Sequence, residues 1–170
     1  MVVRKNNRKK KEDKQENKKV KNATKVVKYG IHFKSKLEVM VYETLMKEGM
    51  NPKYEPTSFV LWKGFRPTSK VYDRKNKTES GSFHQETDKI IDIKYTPDFI
   101  FEYKGITVII EAKGRVNDTF YIKKKLFISL LEKMSKTFYF VVRTKKETLK
   151  AINIVKNYAN ENVGTNLEAT

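Results

Sequence analysis

Residues 91–114 read IDIKYTPDFIFEYKGITVIIEAKG, and their parity decides the fold. Successive side chains of a strand point to opposite faces, so Ile91, Ile93, Tyr95, Phe99, Phe101 and Tyr103 fall on one side, and Asp92, Lys94, Thr96 and Asp98 on the other. Lys104 and Gly105 make a tight turn, after which Ile106 to Ala112 returns as a second strand, predicting a hairpin. If the loop has two residues, Tyr103 faces Ile106 and Asp98 falls opposite Glu111. Side chains so opposed have Cβ atoms roughly 4.5–5.5 Å apart, where like charges destabilise. A divalent cation relieves that repulsion, because Mg²⁺ takes oxygen ligands, usually one or two carboxylates, and keeps waters and substrate phosphates for the rest. Lys113 lies two residues beyond Glu111 and therefore shares its face. A bulge would shift this register by one residue and still leave the patch acidic.

Two neighbours sharpen the reading. Pro97 removes a ladder donor and holds Thr96 extended, which implies a bend or a sheet edge where Asp98 is aimed into a cleft. Gly114 lets the backbone turn sharply after Glu111 and the apolar run Ile106 to Ile110.

Downstream, Asp118 can cap a helix in which Ile122, Leu126, Leu130 and Met134 recur every fourth residue, backed by Phe127 and Leu131. Thr137 to Val142 reads as a short strand, and Thr144 with Glu147 forms a capping box before a helix carrying Ala151, Ile152, Val155 and Tyr158. Upstream, Ser35 and Glu38 form another capping box, followed by Leu37, Val41 and Leu45 at helical spacing up to Gly49. Tyr54 to Trp62 reads as a strand. Between it and the hairpin, Lys63 to about Lys89 is polar and longer than the ~12–15 residues usual for a structureless connection, so it is a functional insertion or locally disordered. The order is helix, strand, insertion, hairpin, helix, strand, helix. It predicts an α/β domain over residues 29–160 with a central mixed β-sheet flanked by helices.

Residues 1–28 are Lys, Arg and Asn with few large apolar side chains, a basic arm that cannot order itself by burial; it is either a solubilising tail or a DNA-contacting arm. Residues 161–170 read as a frayed tail. The 170 residues carry 37 Lys and Arg against 20 Asp and Glu, a formal charge of +17 that favours a polyanionic partner, nucleic acid first. No segment approaches the roughly 18 consecutive apolar residues of a membrane span, and the start of the chain lacks the apolar stretch of a secretory signal. With no cysteine, disulfides, zinc–thiolate sites and thiol nucleophiles are excluded, in keeping with a reducing cytosol. Any metal must be held mainly by oxygen.

Tyr95-Thr96-Pro97-Asp98-Phe99 followed by Ile110-Glu111-Ala112-Lys113-Gly114 resembles the signature of the PD-(D/E)XK nuclease superfamily, and Lys36-Leu37-Glu38 resembles the acidic residue of its first helix. The order of a helical Glu, a TPDF element and E-x-K-G is also similar to that of phage Holliday-junction resolvases of the endonuclease I type. A closer likeness, from about Phe33 to Val142, is to a family of small phage nucleases, carried by Phe59-Val60-Leu61, Gly64-Phe65, TPDF, KG and Lys125-Leu126-Phe127. The resemblance implies a restriction-endonuclease-like core. It implies Glu38, Asp98 and Glu111 as ligands to Mg²⁺, with Mn²⁺ substituting, and Lys113 as the catalytic lysine. It further implies DNA endonuclease activity on four-way or other branched DNA, in phage recombination or processing within a bacterial cytoplasm. Symmetric cleavage of a four-way junction would need two sites and hence a homodimer. The insertion at Lys63 to Lys89 departs from the resolvase pattern and leaves flap, nicked or foreign duplex DNA open as substrates.

Glu38 has a second explanation, since a capping box places Glu at that position for structural reasons alone. Arg115, Lys123, Lys124 and Lys125 either grip phosphates beside the site or form a solvated face. Trp62 and Phe65 are core residues or stacking platforms for unpaired bases. His32 and His84 receive no catalytic role. A DNA-binding module that kept the fold and lost activity is the remaining alternative.

Overall fold

In a computed structural model, residues 24–74 and 81–164 are described. Strands β1 (Val26–Lys28) and β2 (Ile31–Phe33) form an antiparallel hairpin leading into helix α1 (Lys36–Lys47). Then come β3 (Lys53–Tyr54), β4 (Phe59–Trp62), β5 (Val71–Asp73), β6 (His84–Glu86), β7 (Ile93–Tyr95), β8 (Phe99–Tyr103) and β9 (Ile106–Ala112). Helix α2 (Asp118–Leu131), β10 (Thr137–Val142) and helix α3 (Lys145–Gly164) complete the chain. The protein is α/β, with a mixed four-stranded sheet in the order β10-β9-β8-β3. β8 is antiparallel to both its neighbours, and β10 runs parallel to β9 after a crossover through α2. None of the helices among the described residues is long and apolar enough to cross a membrane.

The predicted hairpin forms in the predicted register. Phe99 pairs with Ile110 and Tyr103 with Ile106, and Lys104 and Gly105 both take positive φ, 47° and 75°, as a two-residue turn matched to strand twist requires. β9 is buried along nearly its whole length, which suits a strand covered on both faces. On one face Val41 and Leu45 of α1 and Ile152 and Val155 of α3 pack with Phe99, Phe101, Val108 and Ile110. On the other, Phe127 of α2 packs with Tyr95 and Ile109, with Ile100 and Tyr139 partly buried against them.

Several expectations are corrected. The apolar parity from Ile91 to Tyr103 does not belong to one strand: the chain breaks at Thr96–Asp98, and Tyr95 joins the α2 cluster while Phe99 and Phe101 join the α1/α3 core. Pro97, which cannot donate to a ladder, sits at that break. Tyr54 to Trp62 is likewise two strands in two sheets, parted where Glu55 takes φ 44° ahead of Pro56. Ordered structure begins inside the expected arm, because Val26 pairs with Phe33 and packs on the core; the arm's residues 1–23 lie outside the described residues. At the other end α3 continues to Gly164, and the tail beyond it lies outside the described residues. The cap of α2 is Asn117, whose side chain accepts from Phe120 N at 2.9 Å, rather than Asp118. The core-facing row of α2 is Phe120 and Phe127, while Ile122 is 61 % exposed and Met134 lies beyond the helix. The insertion contains an antiparallel pair, β5 with β6, joined to β4 and β7 by the Phe65–Ile90 bridge; residues 75–80 lie outside the described residues.

Candidate active site

The site sits at the carboxyl end of the parallel pair β9–β10, the end at which α/β sheets leave a crevice for ligands. Asp98 is fixed by its backbone and its side chain together. Its carbonyl accepts from Glu55 N at 2.8 Å, and its Oδ2 accepts from Ala112 N at 2.7 Å. That second bond crosses the hairpin one step beyond the last β8–β9 pair, where the register puts Asp98 next to Glu111. Lys113 is held by its own backbone N–H, which donates to Val142 O at 2.9 Å and extends the β9–β10 pairing past Ala112.

Asp98 and Glu111 are both buried, at 8 % and 5 % exposure. Burial, followed by the charges of Glu111 and Glu38, pushes Asp98 up to about 8. Burial also raises Glu111, against the opposing effects of a hydrogen bond from Tyr95 and the nearby Lys113 ammonium. Burial is the leading cause at both, and at Asp98 the neighbouring Glu111 charge adds to it. Lys113 Nζ lies 3.6 Å from Glu111 Oε1 and 4.9 Å above the Phe120 ring.

Glu38 is the acid of the capping box and also lines the cleft. Ser35 caps α1 by accepting from Glu38 N, and Ser35 Oγ donates to Glu38 Oε1 at 2.8 Å. Glu38 Oε2 accepts from Lys34 N at 2.8 Å and from Tyr54 Oη at 2.7 Å. The capping box thus points a buried carboxylate into the same cleft, of about 530 Å³, that Asp98, Glu111, Lys113 and Arg115 line. The donor set suits a hard cation unequally. Asp98 and Glu111 gain from one by loss of mutual repulsion, whereas Glu38 already has both oxygens engaged. Among the described residues no group of three or more carboxylates or histidines stands in metal-holding geometry.

The lysines of α2 fall elsewhere. Lys124 lines a separate groove of about 610 Å³ with Tyr139 and Arg143, and neither Lys123 nor Lys125 lines the cleft. Three tyrosines escaped the sequence reading. Tyr95 Oη donates to Glu111 Oε2 at 2.8 Å and lies 2.8 Å from Tyr139 Oη, and Tyr54 holds Glu38. Their signal was a hydroxyl at positions read as purely apolar; burial raises the pKa of each of the three phenols, keeping them neutral donors.

A family model described as "Protein of unknown function (DUF1064)" matches residues 17–149. The chain belongs to that family. The matched span of this DUF1064 member runs from the basic arm to the start of α3, so it includes Glu38, Asp98, Glu111 and Lys113. No curated protein and no solved structure matches the chain.

Proposed function

We propose that this DUF1064 protein is a Mg²⁺-dependent DNA endonuclease with a restriction-endonuclease-like core, hydrolysing phosphodiester bonds in branched DNA in a bacterial cytoplasm. The observation that carries the reading is the burial of Asp98 and Glu111 side by side at the strand ends, with Lys113 beside them and Glu38 delivered into the same cleft. Burying two carboxylates side by side costs stability, and perturbed pairs of this kind cluster at functional sites. The sequence likeness to PD-(D/E)XK nucleases and the charge of +17 support nucleic acid as the substrate.

Asp98 and Glu111 would hold the ion, with Glu38 completing the shell. When bound, it supplies Lewis-acid polarisation of the scissile phosphate and a lower pKa for an attacking water. Lys113, fixed through its backbone to β10, places a positive charge where it can orient that water or offset charge building on the phosphate. Tyr95 keeps the Glu111 carboxylate turned by donating to one oxygen. Arg115, on the cleft wall, is placed to meet a phosphate.

A second reading is a DNA-binding module without activity. The engagement of Glu38 by three protein donors, which leaves only about one of a carboxylate's roughly four acceptor sites open, favours it. The discriminating experiment assays wild type, Glu111→Ala and Lys113→Ala for cutting and binding of linear, flap and four-way DNA with Mg²⁺ or Mn²⁺. Cutting by wild type, lost by about 10²-fold or more in both variants with binding retained, is expected. Uncut complexes throughout would establish the module, and equal cutting of all substrates would remove the preference for branched DNA.

A further inference from the structure

The insertion carries the β4–β7 pair outward through the Phe65–Ile90 bridge to the β5–β6 pair, a two-stranded ribbon with breaks in its pairing. Phe59 pairs with Tyr95, Val60 with Lys94, Trp62 with Ile93, Phe65 with Ile90, Val71 with Glu86 and Asp73 with His84, nested in order with irregularities between. Its base is clamped: a side chain at Gly64 would meet Ile90 O at 2.3 Å, and Gly64 N donates to Asp92 Oδ1 at 2.8 Å. The root at Tyr95 is one residue from the break that holds Asp98, so the ribbon leaves directly from the site.

Its outer part has no core. Every residue of β5 and β6 is exposed, and a lone two-stranded hairpin is marginal in water. Alternation nevertheless sorts its chemistry. Tyr72 faces Gln85 across the pair, and Lys70, Arg74 and Phe83 share their parity one step beyond the strand ends. Both strand acids, Asp73 and Glu86, fall on the opposite face with Val71 and His84. One face is thus cationic, aromatic and amide-bearing, and the other takes the acids.

Resting on the nuclease reading, we propose that the Lys70/Tyr72/Arg74/Gln85 face of this ribbon lies in the major groove of the duplex flanking the scissile bond. A major groove admits a two-stranded ribbon, Gln can read an adenine edge, and Lys and Arg flanking it reach phosphates. At ~3.3 Å per residue the 11 steps from Thr96 to Gln85 reach at most ~36 Å, about one helical turn of DNA. A face that repelled phosphates or carried only apolar groups would suit a protein partner better; this one segregates its acids away.

The test uses the full chain carrying Glu111→Ala to prevent cutting, with fluorescence anisotropy over a salt series on a 30-bp duplex. The same duplex with bulky glucosyl groups at cytosine C5, which fill the major groove, and the matching single strand complete the set. Lys70→Glu with Arg74→Glu is expected to weaken duplex binding at least tenfold. It should also flatten the slope of log K against log salt by about 2, at roughly 0.9 per lost phosphate contact. Glu86→Gln, on the acidic face, should change neither. Filling the major groove should weaken the parent about tenfold without any ribbon substitution. The ribbon reading is overturned if the parent binds the filled and open duplexes alike, or if the double variant binds like the parent. It is also overturned if the loss appears only on single strands, or if the variant changes self-association in sedimentation while DNA affinity holds. A parent chain that binds no DNA at all would remove the proposed nuclease function itself.

Discussion

At the end of β9, Glu111 and Ala112 are buried and Asp98 is tied through both its carbonyl and its carboxylate, whereas in β5 and β6, which pair with each other, every residue is exposed. Both regions are antiparallel pairs in one chain, and they differ in what lies behind them. The site pair is sandwiched by α1 and α3 on one face and α2 on the other; β5 and β6, the outer part of the ribbon, are exposed at every residue. Burial gives the first region its perturbed carboxylates and fixed geometry. Exposure gives the second a surface whose only organised property is the sorting of charge by parity.

Breaking the packed side of this comparison should have the largest effect. Phe127 is fully buried against Tyr95, Phe59 and Tyr139, so Phe127→Ala should cost about 3–5 kcal/mol in denaturant unfolding and release Tyr95 from Glu111. The equivalent truncation on the ribbon, Phe83→Ala at 74 % exposure, should stay within about 0.5 kcal/mol. Where the two regions join, Gly64→Ala would press a Cβ into the Ile90 carbonyl. It should cost about 1–3 kcal/mol and open the Phe65–Ile90 pair, read as faster amide exchange at both residues, while the β8–β9 amides keep their protection.

A smaller effect sharpens the electrostatic half of the contrast. Tyr95→Phe removes the donor that turns Glu111 and should weaken divalent-metal binding about tenfold, at a cost of about 1–3 kcal/mol in stability. Stability should also depend on pH in one direction. Asp98 holds its proton up to about 8 in the folded chain and releases it near the ordinary 3.8 when unfolded. The folded state then binds more protons between those values. Its contribution is therefore complete below about pH 4 and disappears as pH rises through about 8. Urea unfolding of metal-free protein from pH 4 to 9 should show this decline, and Asp98→Asn should flatten it.

The sequence carried the β8–β9 hairpin because the largely apolar run Ile106 to Ile110 and a two-residue turn leave one register that buries both strands, and Asp98 beside Glu111 follows from counting. It carried Glu38 twice, since cap and cleft need the same residue. Tyr95 was misplaced because alternation cannot show that the chain changes face at Pro97, and its hydroxyl bond depends on that change. The ribbon was illegible for the opposite reason. Three-residue strands such as Val71–Asp73 and His84–Glu86 bury nothing and leave no apolar periodicity to read. The cap of α2 falls on Asn117 rather than Asp118, since both are good capping residues and only the backbone chooses between them.

The most direct test of the paired carboxylates is Mn²⁺ titration followed by electron paramagnetic resonance, in which bound ion loses the sharp signal of free hexaaqua Mn²⁺. Wild type should bind near pH 8, bind more weakly near pH 6 where the Asp98 proton competes, and lose binding in Asp98→Asn and in Glu111→Gln. Retention of full Mn²⁺ binding by both variants, or an unchanged free-ion signal with wild type at every pH, would contradict a metal site between these two side chains.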